Sequence, residues 1–267
     1  MESQIRDNFT HTRQLVKILW TGGFDSTYRM IQLSKLELSI QPYYLIDKRK
    51  STQFELNAIS AIIGDIQKHP DTKCIILPLI TFKVGDIEPD NDISETYNRI
   101  HKLTNLGSQY DWLSRFTKTH AGLEICIEKS EFGKLYCCIL KNASIIKITE
   151  GKIVYCILDI EKSNVDLIKV FGKFHFPIPL FEITKLEIME EFKKLGFEDT
   201  IQKTWFCHTP VNKESCGICN PCKTVVGEGM AFRLSPAALK RYKTEMKYNK
   251  RIWFTYYKKI RYSLIGY

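Results

Sequence analysis

The sequence predicts an α/β protein built on a doubly wound parallel sheet. Strand-like apolar runs alternate with helical stretches over the first eighty of its 267 residues. The runs are apolar on both faces, as strands covered by helices on either side must be. The first run also ends in a glycine pair that opens into a helix.

Residues 14–20 form the first predicted strand. Thr21–Gly22–Gly23–Phe24–Asp25–Ser26–Thr27 turns out of it, and Tyr28, Met30, Ile31, Leu33 and Leu36 follow at near-helical spacing. A strand, a Gly-rich turn and a helix N-terminus suit a phosphate, because glycines let the backbone approach and the first N–H groups attract an anion. The plain alternative is a strand–turn–helix junction with Ser26 as N-cap.

A second strand spans Ile40–Ile46 and ends at Asp47. Residues 53–67 form a second helix, and Cys74–Leu77 a third strand ending at Pro78. Ligands of such sheets bind beyond the strands' carboxyl ends. Thr21–Thr27, Asp47 and the chain after Leu77 would share that edge.

Residues 84–107 are polar and turn-rich, and predict a loop with a short helix that covers the site. Residues 108–118 predict a helix. Leu123–Ile127, Leu135–Leu140, Ser144–Thr149 and Ile153–Leu158 read as short strands in hairpins, either a small antiparallel subdomain or added edge strands. Residues 166–176 form one amphipathic stretch. Thr184 is the expected N-cap of a helix that ends at Leu195–Gly196.

Nine cysteines in a chain whose first residues lack the apolar core of a signal peptide argue against a disulfide scaffold. Cys74, Cys126, Cys137, Cys138 and Cys156 sit in apolar runs, as buried small side chains do. Cys207, Cys216, Cys219 and Cys222 have the spacing C-x8-C-x2-C-x2-C. Four thiolates around tetrahedral Zn²⁺ are the expected arrangement. An iron–sulfur cluster is the competing occupant, and His208 an alternative ligand. A closed site of this kind would pin the end of the chain against the nucleotide-binding edge.

The net charge of +9 lies entirely from Arg233 onward, where ten Lys/Arg face the single acid Glu245. Tyr242, Tyr248, Trp253, Phe254, Tyr256, Tyr257 and Tyr262 are interleaved with these cations. Ser235–Pro236 is a suitable helix start. The segment reads as a helix with a solvated basic face, with an acidic protein or a nucleic acid as alternative partners. No apolar run reaches the roughly 20 residues of a membrane span. The expected location is cytoplasmic, with no membrane partner.

The Thr21–Thr27 loop and the cysteine spacing together resemble the 7-cyano-7-deazaguanine synthase (QueC-like) family of PP-loop ATP pyrophosphatases, whose fingerprint is S-G-G-x-D-S. Leu45–Ile46–Asp47 with Glu55, Pro179–Leu180 with Lys185–Leu186–Glu187–Ile188, and Thr204–Trp205–Phe206–Cys207 extend the resemblance. It covers residues 14–68 and 177–232 well and the middle poorly. It implies a PP-loop/HUP-like nucleotide-binding domain over residues 1–232, with a β-hairpin insertion at about 84–160, a zinc motif at 207–222 and a basic aromatic segment at 233–267.

The resemblance implies that ATP binds at Thr21, Gly22, Gly23, Asp25, Ser26, Thr27 and Asp47. A carboxylate attacks its α-phosphate to give an acyl-adenylate and pyrophosphate. Asp25, Ser26 and Lys185 would carry catalysis: Asp25 by holding Mg²⁺ or orienting the loop, Ser26 with Thr27 by hydrogen-bonding pyrophosphate, and Lys185 by neutralising its charge. The acid expected from the family is 7-carboxy-7-deazaguanine or a relative.

Thr21 replaces the family's Ser and keeps a hydroxyl. No segment matches the family's P-G-R-N or D-C-R sequences, which would read the deazapurine. Diverged members occur in anti-phage defence operons, where the same activation could feed an amide bond to a protein amine. The alternatives are an ordinary nitrile synthase using ammonia in tRNA or DNA modification, and a nucleotide- or nucleic-acid-binding module without catalysis. The expected assembly is a homodimer or a hetero-complex.

Overall fold

The structure is a computed structural model, and it describes residues 13–130 and 133–248. The chain runs β1 (Leu15–Leu19), α1 (Phe24–Ser34), β2 (Ser39–Ile46), α2 (Thr52–Lys68), β3 (Ile75–Ile76) and β4 (Ile80–Lys83). It continues through α3 (Asn91–Thr104), α4 (Gln109–Phe116), β5 (Leu123–Glu124), α5 (Lys134–Asn142), β6 (Ile145–Glu150) and β7 (Ile153–Leu158). Then come α6 (Val165–Phe171), β8 (Phe174–Pro177), α7 (Lys185–Lys194), α8 (Glu198–Lys203) and α9 (Asn220–Gly227). A C-terminal helix begins at residue 236 and continues to the end of the described chain.

The strands form one sheet in the order β3-β2-β1-β5-β8-β7-β6, with β4 also paired to β2. β1, β2, β5 and β8 run parallel, and β7 joins β8 antiparallel. Because side chains alternate across a pleated strand, each central strand feeds two cores. Val16, Ile18, Trp20, Ile40 and Tyr44 enter one, with α1, α2 and α7. Tyr43, Leu45, Leu123 and Phe174 enter the other, with α3 to α6. This is the doubly wound arrangement that the two-faced apolar runs predict.

Four readings are corrected. Leu135–Leu140 is not a strand but most of α5, since Leu135, Cys138 and Ile139 recur at helical spacing and all three are buried. Leu123–Ile127 is not a hairpin strand but supplies β5, which runs parallel between β1 and β8, whereas the β6–β7 hairpin takes the added-edge-strand alternative. The amphipathic stretch 166–176 divides after Phe171 into α6 and β8. The third strand stops at Pro78 and resumes as β4, which pairs further along β2.

The short helix expected in 84–107 is the 14-residue α3, capped by the Asp90 carboxylate accepting from Ile93 N–H at 3.0 Å. Cys138 and Cys156 are buried, whereas Cys74, Cys126 and Cys137 are half-buried. Thr184 starts α7 with a capping box, and Gly196 follows its end at φ +76°. Residues 1–12 and the tail from residue 249, with Trp253, Phe254, Tyr256, Tyr257 and Tyr262, lie outside the described residues. No described helix is long and apolar enough to cross a membrane.

Candidate active site

The turn after β1 is fixed by glycine. Gly22 has φ +66°, and a Cβ there would sit 3.0 Å from both Ala58 Cβ and the Glu55 carbonyl oxygen. Helix α1 begins at Phe24, one turn earlier than a Ser26 cap would place it, and Gly23 is its N-cap without a side-chain bond. The first helical bond runs from Thr27 N–H to Gly23 O at 3.0 Å. The N–H groups of Phe24, Asp25 and Ser26 therefore precede any helical partner and face out of the helix end.

A cleft of about 1110 Å³ opens in front of this helix end. Thr21, Gly23 and Asp25 line one wall, with Lys185 from α7. Asn105–Tyr110 between α3 and α4 and the start of α5 face them. Trp205, Phe206, His208 and the first residues of α9 complete the rim. The structure thus brings Thr21, Gly23, Asp25 and Lys185 together. Gly22, Ser26 and Thr27 stand behind the wall: Thr27 is fully buried, and its hydroxyl accepts from the Trp20 indole at 3.1 Å. Asp47 lies at the same sheet edge but is paired with Arg49 at 2.7 Å, and Arg49 rather than Asp47 lines the cleft.

The charges are arranged unexpectedly. Lys185 Nζ lies 3.1 Å from Glu128 Oε1 and 3.1 Å from Glu228 Oε2. Burial lowers its pKa, but Asp25, Glu128 and Glu228 reverse that effect and hold it above the usual lysine range. Asp25 Oδ1 is buried without a hydrogen-bond partner. Burial, reinforced by the nearby Glu128 charge, pushes the Asp25 carboxyl well above its ordinary range. Burial likewise raises Glu228, against the pull of Lys185. Two carboxylates pair with one ammonium, and the third, Asp25, lies close by with one oxygen that has no partner. Lys185 occupies the space between Glu128 and Glu228, and among the described residues the four cysteines are the group whose donor atoms converge closely enough to hold a metal ion.

Sequence reasoning missed Glu128, Glu228 and Arg233. Glu128 had a signal, because it follows the central strand at the edge where open sheets bind ligands. Arg233 was read as the first residue of the basic tail. It instead lines the cleft, 5.4 Å from the Phe24 ring and 4.7 Å from the Phe206 ring. The buried Arg29–Glu124 pair, with bonds of 2.8 and 2.6 Å that tie α1 to β5, had no local signal.

The four cysteine sulfurs lie within 4.8 Å of one another. The Cys216–Cys222, Cys219–Cys207 and Cys219–Cys222 separations are 3.8, 3.9 and 3.4 Å. A tetrahedral Zn²⁺ with bonds of about 2.3 Å spaces its sulfurs by about 3.8 Å, so the set fits zinc. The N–H groups of Cys216, Gly217 and Cys219 point at the sulfurs at 3.1–3.3 Å, which suits thiolates. His208 lines the cleft and is not among the clustered ligands.

Residues 160–227 match the family model described as "QueC: Queuosine biosynthesis protein QueC". That span runs from before α6 through Lys185 and all four cysteines. It supports a QueC-like, ATP-using family and is consistent with an enzyme. No curated protein matches the chain.

Proposed function

We propose that the protein is an ATP-dependent, AMP-forming carbon–nitrogen ligase. It adenylates a carboxylate of the 7-carboxy-7-deazaguanine type and passes the acyl group to an amine. The observation that carries this reading is the cleft in which the glycine turn, Asp25 and Lys185 meet beside the cysteine knuckle. Its volume of about 1110 Å³ exceeds the roughly 300–1,000 Å³ of a pocket for one small ligand, leaving room for a nucleotide and a second reactant.

ATP enters with its phosphates against the first-turn N–H groups of α1. The acid's carboxylate oxygen attacks the α-phosphorus, the bond to the bridging oxygen breaks, and pyrophosphate leaves. Lys185 faces that departing charge, and Asp25 fixes the loop. Asp25, whose Oδ1 has no partner, would hold Mg²⁺ together with the phosphates, and the ion would supply charge neutralisation there. Cys207, Cys216, Cys219 and Cys222 would hold Zn²⁺ as a closed structural site. The amine then attacks the acyl carbon and AMP departs. Positioning and electrostatics supply most of the rate.

A protein amine suits this chain as acceptor better than ammonia does. The cleft wall at Asn105–Tyr110 comes from the segment that lacks the family's substrate sequences, and the C-terminal segment adds a basic surface for an acidic partner. A role in anti-phage defence follows as part of the same proposal.

Incubation with ATP, 7-carboxy-7-deazaguanine and either ammonia or a candidate acceptor protein tests it by nucleotide chromatography and intact-mass spectrometry. AMP that depends on the acid, with an amide adduct on protein, is the expected result. Nitrile formed from ammonia would replace the acceptor reading with nitrile synthesis. Absence of acid-dependent AMP would remove the ligase reading.

A further inference from the structure

Lys185 was the expected cation for the departing pyrophosphate, yet two carboxylates already hold it and a third lies close by. A triphosphate entering beside Asp25, Glu128 and Glu228 meets three negative charges and one shared ammonium. A second cation that is not already paired is needed on that wall.

Arg233 meets the requirement. No carboxylate of the described residues lies within ion-pair distance of it. Its Nη2 donates to Thr204 Oγ1 at 2.5 Å and to the Thr204 carbonyl at 3.1 Å. The Phe24 and Phe206 rings flank the guanidinium. A guanidinium carries five N–H donors in a flat fork. Two are spent on Thr204, and among the described residues nothing accepts from Nε or Nη1. The free donors on Nε and Nη1 lie on opposite sides of the Cδ–Nε bond, so each is available to donate singly to a phosphate oxygen. Burial presses its pKa down to about 10, against the pull of Asp25 and Glu228, so the cation is under-compensated until an anion arrives.

We propose that Arg233 binds the β,γ-phosphates of the nucleotide and the pyrophosphate they become. The proposal rests on the adenylating reading of the cleft and adds a residue to it. The aromatic contacts and Thr204 set the direction of the fork before ligand arrives, which lowers the entropy of binding. Arg233 then shares the part that the sequence assigns to Lys185, which also organises the carboxylates.

Two measurements on the full-length protein test this. Calorimetric titration with magnesium pyrophosphate, ATP and AMP compares the wild type with Arg233→Gln, Arg233→Lys and Thr204→Val. Arg233→Gln is expected to weaken pyrophosphate and ATP at least about tenfold, the scale of one charge-assisted hydrogen bond, and to leave AMP unchanged. Arg233→Lys should recover part of the loss. Thr204→Val keeps the guanidinium and should cost pyrophosphate affinity less than Arg233→Gln does.

Phenylglyoxal modification of the wild type, read by peptide mass spectrometry, needs no variant. Pyrophosphate is expected to slow labelling of Arg233 at least about tenfold, while AMP leaves it unchanged. Equal pyrophosphate affinity in wild type and Arg233→Gln, or labelling that pyrophosphate does not slow, overturns the proposal alone. A wild type that binds neither ATP nor pyrophosphate overturns the adenylating reading together with it.

Discussion

Asp25→Asn should make the protein more stable and inactive. The Asp25 carboxyl is buried beside Glu128 and Glu228, one of its oxygens has no partner, and Lys185 is paired with the two glutamates. An uncompensated buried polar group costs about 1–3 kcal/mol, and more when charged. Asparagine keeps the shape and removes the charge. The expected gain is about 1–3 kcal/mol at neutral pH, or roughly 2–4 °C in Tm for each kcal/mol.

The pH dependence fixes the cause. The folded-state pKa of Asp25 is raised above 3.8, its value in the unfolded chain. Wild-type stability from this group is therefore fully present below about pH 4 and is lost as pH rises through the raised value. The Tm advantage of Asp25→Asn should vanish near pH 4 and grow to a plateau toward neutrality. Scanning calorimetry of both proteins from pH 4 to 8 reads this directly. An Asn variant less stable than wild type at pH 7, or an advantage independent of pH, would refute the reasoning. AMP formation should fall at least about a hundredfold throughout, the scale of losing one electrostatic contact in the transition state.

Three further outcomes follow from the geometry. Arg29→Ala leaves Glu124, 1% exposed, without its bidentate partner and should cost about 3–5 kcal/mol in urea unfolding, whereas Arg29→Met with Glu124→Leu should recover most of it. Gly22→Ala forces a left-handed backbone worth about 1–2 kcal/mol and a contact with Ala58, so ATP affinity should fall together with Tm. The purified protein should carry about one zinc per chain by elemental analysis, and a chelator should raise hydrogen exchange over residues 205–248 before it affects β1 or β2.

Local patterns were readable wherever one element explains itself. Ile18 and Ile40 lie in strands apolar on both faces, and the sheet is covered on both. Thr184 and Glu187 sit three apart, and the capping box forms. Leu135–Leu140 misled because a short apolar run has no clear period, and burial of Leu135, Cys138 and Ile139 only becomes visible against the sheet. The site was readable as two motifs and unreadable as a charge arrangement. Asp25 and Lys185 are 160 residues apart in sequence, and nothing local says that Glu128 and Glu228 share the same ammonium. Arg233 was hidden by its neighbours, since it stands at the head of a basic run while its side chain turns inward to Phe24.

The cysteine knuckle is tied to the glycine turn after β1 through backbone hydrogen bonds. Trp205 N–H donates to the Gly22 carbonyl at 2.8 Å, and its ring stacks on Phe54 of α2 at 4.5 Å. Its indole N–H reaches the carbonyl of Cys207, a cluster ligand, at 2.7 Å. On the far side, Gly217 lets the C-terminal helix approach so closely that a Cβ would collide with Ala238. Arg241 from that helix donates to the carbonyls of Ser215 and Cys216 at 2.9 and 2.7 Å. One thiolate cluster therefore sets both the left-handed Gly22 turn and the root of the basic segment. A displacement at that root has a direct mechanical route, through Cys216, Cys207 and Trp205, to Gly22.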